Sequence, residues 1–204
     1  TVFKGYDETT LKANVTALVL DSEVVDELSN KIKKSAIITD ESCFYAESGG
    51  QVGDKGIIST ENAEFKVTDT RKTPQGIFIH FGNVISGNFK IGNEVKLKID
   101  SSLRELIKKN HSATHLLHAA LRNNLGLHVA QRGSLVNENK LRFDFSHNKQ
   151  ISSKQIDTIQ KEVTNIISNT CETQIDIKSQ EEAIKLGAMA LFGEKYGEEV
   201  RVVT

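Results

Sequence analysis

The sequence predicts an α+β fold, with an N-terminal β-barrel-like subdomain packed on a C-terminal antiparallel sheet with helices. Three observations predict it. Residues 1–100 break into short runs rich in β-branched residues, separated by turn signals. At Asp100 the apolar period changes from two to that of a helix, along a stripe reaching Leu125. Beyond Gly126, short alternating segments are interspersed with two helix-cap signatures, the pattern of helices set against an antiparallel sheet. The expected division is residues 1–101 and 102–204, with a cleft between them.

The first half yields strands at "NVTALVL" (14–20), "SAIIT" (35–39), "AEFKVTDT" (63–70), "GIFIHF" (76–81) and "NEVKLKID" (93–100). "GDKG", "TPQG", "ISGN" and "IGN" separate them, and this spacing of short strands favours a small barrel or sandwich. "SEVVDELSNKIKK" (22–34) is charged and ambiguous between a solvated hairpin and a loop. Residues 102–125 place Leu103, Leu106, Ile107, Ala113, Leu117, Leu121 and Leu125 on one helical stripe, and Gly126 ends it. "LHVAQRGSLV" and "NKLRFDFS" then read as a hairpin. Ser152 with Gln155 opens a second helix carrying Ile156, Ile159, Val163 and Ile166. "TQIDIK" (173–178) is a short strand, and Ser179 with Glu182 caps a helix expected through "AIKLGAMALF".

Composition narrows the function. With 38% hydrophobic and 26% charged residues, the chain is a folded domain rather than a disordered one. A net charge of −1 excludes a broad basic surface for nucleic acid, so any such contact is local. No apolar run approaches the ~18 residues of a membrane span. Two cysteines, Cys43 and Cys171, make no disulfide framework and favour a reducing cytoplasm. Residue 1 is Thr and the sole Met is Met189, so the chain reads as a segment of something longer.

Chemistry concentrates in "KKNHSATHLLHAALRNNLG" (108–126), where His111 and His115 are four apart and so share one helix face. That spacing suits zinc, which takes four ligands, or three and a water. The alternative is that His111, His115 and His118 cover a helix edge, hydrogen-bonded to backbone or water. A zinc peptidase is excluded, because Ser112 follows the first histidine where that motif needs Glu. Thr114 falls inside the apolar stripe. In "FYAESGGQVGDKG" (44–56), Gly49 and Gly50 permit a close backbone approach to a ligand, although glycine pairs more often make turns. Gln131 is a polar residue in an expected half-buried strand, facing solvent or orienting a bound group.

Together "CFYAESGGQVGDKG", "NHSATHLLHAALRNNLGLHVAQRGSLV", "LRFDFSH" and "GAMALFGEKYGEEVRVV" resemble the editing domains of alanyl-tRNA synthetases, in order from about Thr39 onward. The resemblance implies an aminoacyl-tRNA deacylase that hydrolyses serine or glycine mischarged on tRNA(Ala). The parent family joins alanine to tRNA(Ala) with ATP and magnesium in an aminoacylation domain outside this chain. The partners implied are the tRNA 3′ acceptor end and the remaining synthetase domains. His111 and His115 correspond to half of a zinc site, which a CxxxH pair completes in the family. Neither Cys43, with Glu47 four residues on, nor Cys171, with Ile175, supplies it. The family places that pair shortly after the "VRVV" strand, so loosely held zinc is expected here. Thr114 and Gln131 correspond to polar residues of the editing pocket, as catalytic groups. Glu47, Ser48, Gly49, Gly50 and Gln51 are expected to line it for substrate. Cys43 departs from the family, which commonly has Pro before Phe-Tyr. The rivals are a freestanding trans-editing deacylase and a non-catalytic, zinc-stiffened module that docks acceptor ends.

Overall fold

The computed structural model describes residues 1–29, 34–169, 174–188 and 199–203. The chain divides into two compact units. One is Thr1–His111 with Leu135–Leu141; the other is Ser112–Ser134 with Arg142–Thr204.

The first unit contains β1 (Val2–Phe3), β2 (Thr10–Leu20), β3 (Glu23–Val25), β4 (Glu27–Ser29), β5 (Ser35–Thr39) and β6 (Glu41–Ser42). It continues with β7 (Gly56–Ser59), β8 (Glu64–Lys72), β9 (Phe78–Ser86), β10 (Asn88–Lys90) and β11 (Glu94–Ile99). Strands β11, β7, β8, β9, β5 and β2 neighbour one another in that order, all antiparallel. The β11–β2 pairing, Glu94 opposite Asn14 through Lys98 opposite Thr10, closes them into a six-stranded barrel. Closure follows from the sequence alternation. Along β2, Leu11, Ala13, Val15 and Leu18 point inward and Lys12, Asn14 and Thr16 outward, while β11 buries Val95, Leu97 and Ile99. Phe44, Ile58, Phe65 and Ile37 complete the core, each fully buried.

The described part of the ambiguous stretch 22–34 joins two ribbons, while residues 30–33 lie outside the described residues. Strand β3 folds back on β2 across Asp21 and Ser22, both at positive φ (47° and 72°). Such a two-residue turn matches the strand twist. Strand β4 pairs with β10, where Leu28 faces Phe89; both are fully buried in the barrel core.

Helix α1 (Ser101–Leu125) begins directly after β11. Asp100 caps it, with Oδ1 accepting from the backbone N–H groups of Ser102 and Leu103, both at 3.1 Å. Gly126, at φ +116°, ends it and donates its N–H to the Arg122 carbonyl.

In the second unit, Ala120, Leu121, Val129 and Ile159 form a small core with Leu117, Leu125, Phe143, Phe145, Ile151 and Val163 against it. Strands β12 (Gln131–Val136) and β13 (Leu141–Phe145) make the expected hairpin, whose tip 135–141 belongs to the barrel unit. Helix α2 (Ser153–Ser168) starts with the Ser152–Gln155 capping box. Glu162 of α2 accepts from the Asn123 and Asn124 side chains, tying it to the end of α1. Strand β14 (Ile175–Ser179) pairs antiparallel with β15 (Glu199–Val203).

Three expectations are corrected. Leu106 (45% exposed) and Ile156 (51%) are not core residues, although their spacing put them on the apolar stripes. His118 sits in the buried stripe of α1 at 4% exposure, not at the helix edge where its spacing from His111 and His115 put it. Helix α3 (Gln180–Lys185) has the predicted Ser179–Glu182 box but ends at Lys185, with Leu186 as its C-cap, while residues 189–192 of the expected helix lie outside the described residues. Gly187, at φ +85°, turns the chain: its N–H bonds the Ile184 carbonyl and that of Ala188 the Ala183 carbonyl. Cys171, Met189 and most of the "GAMALFGEKYGEEVRVV" stretch lie outside the described residues. No helix among the described residues is long and apolar enough to cross a membrane.

Candidate active site

The Gly-rich segment and the start of the histidine motif meet in the barrel unit. Ser48 and Gln51 exchange backbone hydrogen bonds, 3.1 Å and 2.9 Å, around Gly49 (φ 59°) and Gly50 (φ 82°). Two successive positive φ angles are the requirement of a type I′ turn, which explains the glycine pair. The turn is fastened to the hairpin tip: Val136 N–H donates to the Gly50 carbonyl (2.7 Å) and Val52 N–H to the Val136 carbonyl (3.1 Å). Glu47, Ser48 and Gly49 are exposed, Gly50 is half-buried, and Gln51 is 6% exposed. The Glu47 N–H bonds the Thr70 carbonyl at 2.9 Å, and its carboxylate lies 4.0 Å from Arg71 Nε.

Gln51 Oε1 lies 2.6 Å from His111 Nδ1. A carbonyl oxygen only accepts, so Nδ1 carries a proton, and in the neutral ring Nε2 then keeps its lone pair. Next to it, Asn110 Nδ2 donates to the Asn137 carbonyl (2.8 Å), fixing this turn of α1 to the hairpin tip.

The same unit holds a polar hub that sequence reasoning missed. Arg104 of α1 grips the Asp54 carboxylate through Nε and Nη2. Its Nη1 donates to the Gly5 carbonyl (2.8 Å) and its Nη2 to that of Cys43 (3.0 Å). Asp54 Oδ2 also accepts from the Tyr45 N–H (2.7 Å), and the Asp54 side chain is only 2% exposed. One bidentate pair therefore seats α1 on both ends of the Gly-rich segment. Its only signal was a charged residue in each motif, and fifty residues separate them.

Cys43 is fully buried, and burial pushes its thiol up to about 12. It is therefore no reactive thiol. His80 is equally buried: Nδ1 donates to the Ile37 carbonyl (2.9 Å) and Nε2 accepts from Ser42 Oγ (2.8 Å). Burial lowers its pKa to about 4, so it stands as a neutral structural residue.

In the second unit Thr114 is buried at 8%, His115 exposed and Gln131 half-buried. Gln131 Nε2 donates to Ser134 Oγ at 3.0 Å. Burial chiefly lowers the pKa of His118, which bonds the Val129 backbone; the Val129 carbonyl also accepts from Arg122 Nη1 (3.2 Å). Among the described residues no three His, Cys, Asp or Glu side chains cluster as a metal site. His111 nevertheless fits a zinc ligand, because metal-binding histidines usually donate their other N–H to an oxygen acceptor.

A closed antiparallel barrel feeding a glycine turn and an HxxxH helix is the scaffold of the site. The family model of class II (A) tRNA synthetases matches residues 1–103, and the chain belongs to that family. Within it, the chain is similar along its whole length to alanine–tRNA ligases. That of Mesorhizobium japonicum is 46% identical over 204 residues, and those of Parvibaculum lavamentivorans and Rhodopseudomonas palustris are each 47% identical over 204. In each comparison all of this chain is covered but only 23% of the relative, so it spans about a quarter of their length.

Proposed function

We propose that this chain is the editing segment of an alanine–tRNA ligase and hydrolyses the ester of serine or glycine mischarged on tRNA(Ala). The observation that carries this reading is the Gln51–His111 hydrogen bond, because it joins the two motifs on which the editing resemblance rests. His111 and His115 would hold zinc, which when bound supplies a Lewis acid that orients and polarises the substrate. A water adds to the ester carbonyl, the bond to the ribose oxygen breaks, and that oxygen leaves as a hydroxyl with the amino acid freed. An aminoacyl ester is activated, so orientation and oxyanion support matter more than a strong nucleophile.

Gln131 supplies the oxyanion donor by exchanging the Ser134 hydroxyl for the carbonyl oxygen, one hydrogen bond for another. Thr114 is buried, and its hydroxyl senses the serine hydroxyl, which alanine lacks. Glu47, Ser48 and Gly49, with the half-buried Gly50 beside them, face the acceptor end from the turn. Aminoacylation, with its ATP and magnesium, belongs to other parts of the parent enzyme, in the cytoplasm. The test is deacylation of serine-charged tRNA by the full-length protein. Gln131→Ala and Thr114→Val should slow it by roughly 10²-fold while sparing aminoacylation. Wild-type protein that binds the acceptor end without hydrolysis would leave only the non-catalytic docking module.

A further inference from the structure

The Gly49–Gly50 turn is built to deliver one side chain. Its backbone is fixed on both sides, by the Ser48–Gln51 pair and by Val136 bonding across Gly50 and Val52. A loop that must adapt to substrate gains nothing from such fastening. Its Gln51 is 6% exposed, and its amide oxygen is 2.6 Å from His111 Nδ1. We propose that Gln51 is a positioning residue: it locks His111 in the Nδ1–H tautomer and fixes the ring so that Nε2 is offered as the zinc-ligating nitrogen. The glycine pair serves this placement, and Gln51 itself does not touch the substrate.

The chemistry is specific. Neutral imidazole exists as two tautomers, and only Nδ1–H leaves a lone pair on Nε2. An acceptor fixed at Nδ1 selects that form before metal arrives and raises the basicity of the ligating nitrogen. Leucine at position 51 would keep the volume but lose the acceptor, and glutamate would keep the acceptor.

This inference rests on the editing reading for its effect on hydrolysis, but not for its effect on the histidine. The test uses the full-length protein carrying wild-type sequence, Gln51→Leu or Gln51→Glu, with His111→Ala assigning the zinc to this site. Zinc affinity is measured by competition with a chromogenic chelator. The tautomer is read on metal-free protein by 15N-histidine NMR, and kcat and KM by deacylation of serine-charged tRNA. Circular dichroism checks that each variant is folded. Gln51→Leu should weaken zinc by roughly 10- to 100-fold, populate the second tautomer of His111, and lower kcat with KM unchanged at subsaturating zinc. Gln51→Glu should restore affinity to within a few-fold. Unchanged zinc affinity and tautomer in Gln51→Leu, or a raised KM with zinc unchanged, would overturn the proposal and return Gln51 to substrate contact. Tautomer and zinc effects without any wild-type deacylation would refute the editing reading and leave this one standing.

Discussion

Replacing Arg104 by Met tests the polar hub beneath the site. The side chain of Arg104 is 13% exposed and that of Asp54 2%, so the carboxylate has little water to turn to. Arg104→Met keeps much of the aliphatic stem but leaves Asp54 with only the Tyr45 N–H, and strips donors from the Gly5 and Cys43 carbonyls. Removing one member of a buried pair typically destabilises by about 3–5 kcal/mol. With a urea m-value of ~2 kcal/mol/M, the midpoint should fall by about 2 M. Asp54→Leu alone should lose a similar amount, because the guanidinium is then buried without its carboxylate. The double variant should recover part of the loss. It should remain ~2 kcal/mol below wild type, since Tyr45 N–H and the two carbonyls stay unsatisfied. Urea unfolding followed by tyrosine fluorescence suits the measurement: the chain has no Trp, and Tyr6 and Tyr45 both lie in the barrel unit. Single-variant losses below ~1 kcal/mol, or strict additivity in the double variant, would refute the reasoning.

His80 should impose a pH dependence. Its folded pKa of about 4 lies below the ordinary histidine value, so between about pH 6.5 and 4 the unfolded chain binds more protons. Stability should be full above about 6.5 and decline as pH falls through that window, by about 3 kcal/mol from this residue. His80→Asn should flatten that part of the profile relative to wild type; identical slopes in urea titrations would count against it. Cys43 should resist thiol reagents in the folded protein, given its burial and its raised pKa of about 12. In a Cys171→Ser background, labelling should proceed only as fast as the barrel opens and accelerate with urea; rapid labelling without urea would contradict this.

Where the sequence had long strict periods, it announced the fold. The alternation in 10–20 and 94–99 and the stripe of α1 can be satisfied only by a strand or a helix with one buried face. The capping boxes were equally legible, because the interaction they encode is local. Strands β4, β7 and β10 were not, since three or four residues carry too little pattern and their partners lie far along the chain. Leu106 and Ile156 show the other limit: periodicity gives a face but not the width of what covers it. In the site, residue types were readable and their roles were not. Gln51 looked like part of a ligand loop, and only the distance to a histidine sixty residues on reveals its partner. Arg104 and Asp54 were hidden for the same reason.

The closing seam of the barrel carries a consequence for synthesis. Asn14 on β2 pairs with Glu94 on β11, 80 residues later. At ~5–20 residues per second, a ribosome needs about 4–16 s to make the intervening chain. During that interval β2 has already gained β5 along one edge and β3 beside Leu18, Val19 and Leu20 of the other, both encoded within its next 20 residues, while residues 10–14 of that second edge wait unpaired. That stretch carries Thr10, Lys12 and Asn14 on its outer face, polar residues that discourage a second nascent chain from stacking there. The last barrel strand to emerge is also the one that runs directly into α1, so Arg104 is made only after every strand of the ring. Translation order thus places the arrival of His111 after the barrel strands and Gln51 have been made, and before Val136, the residue that fastens the Gln51 turn.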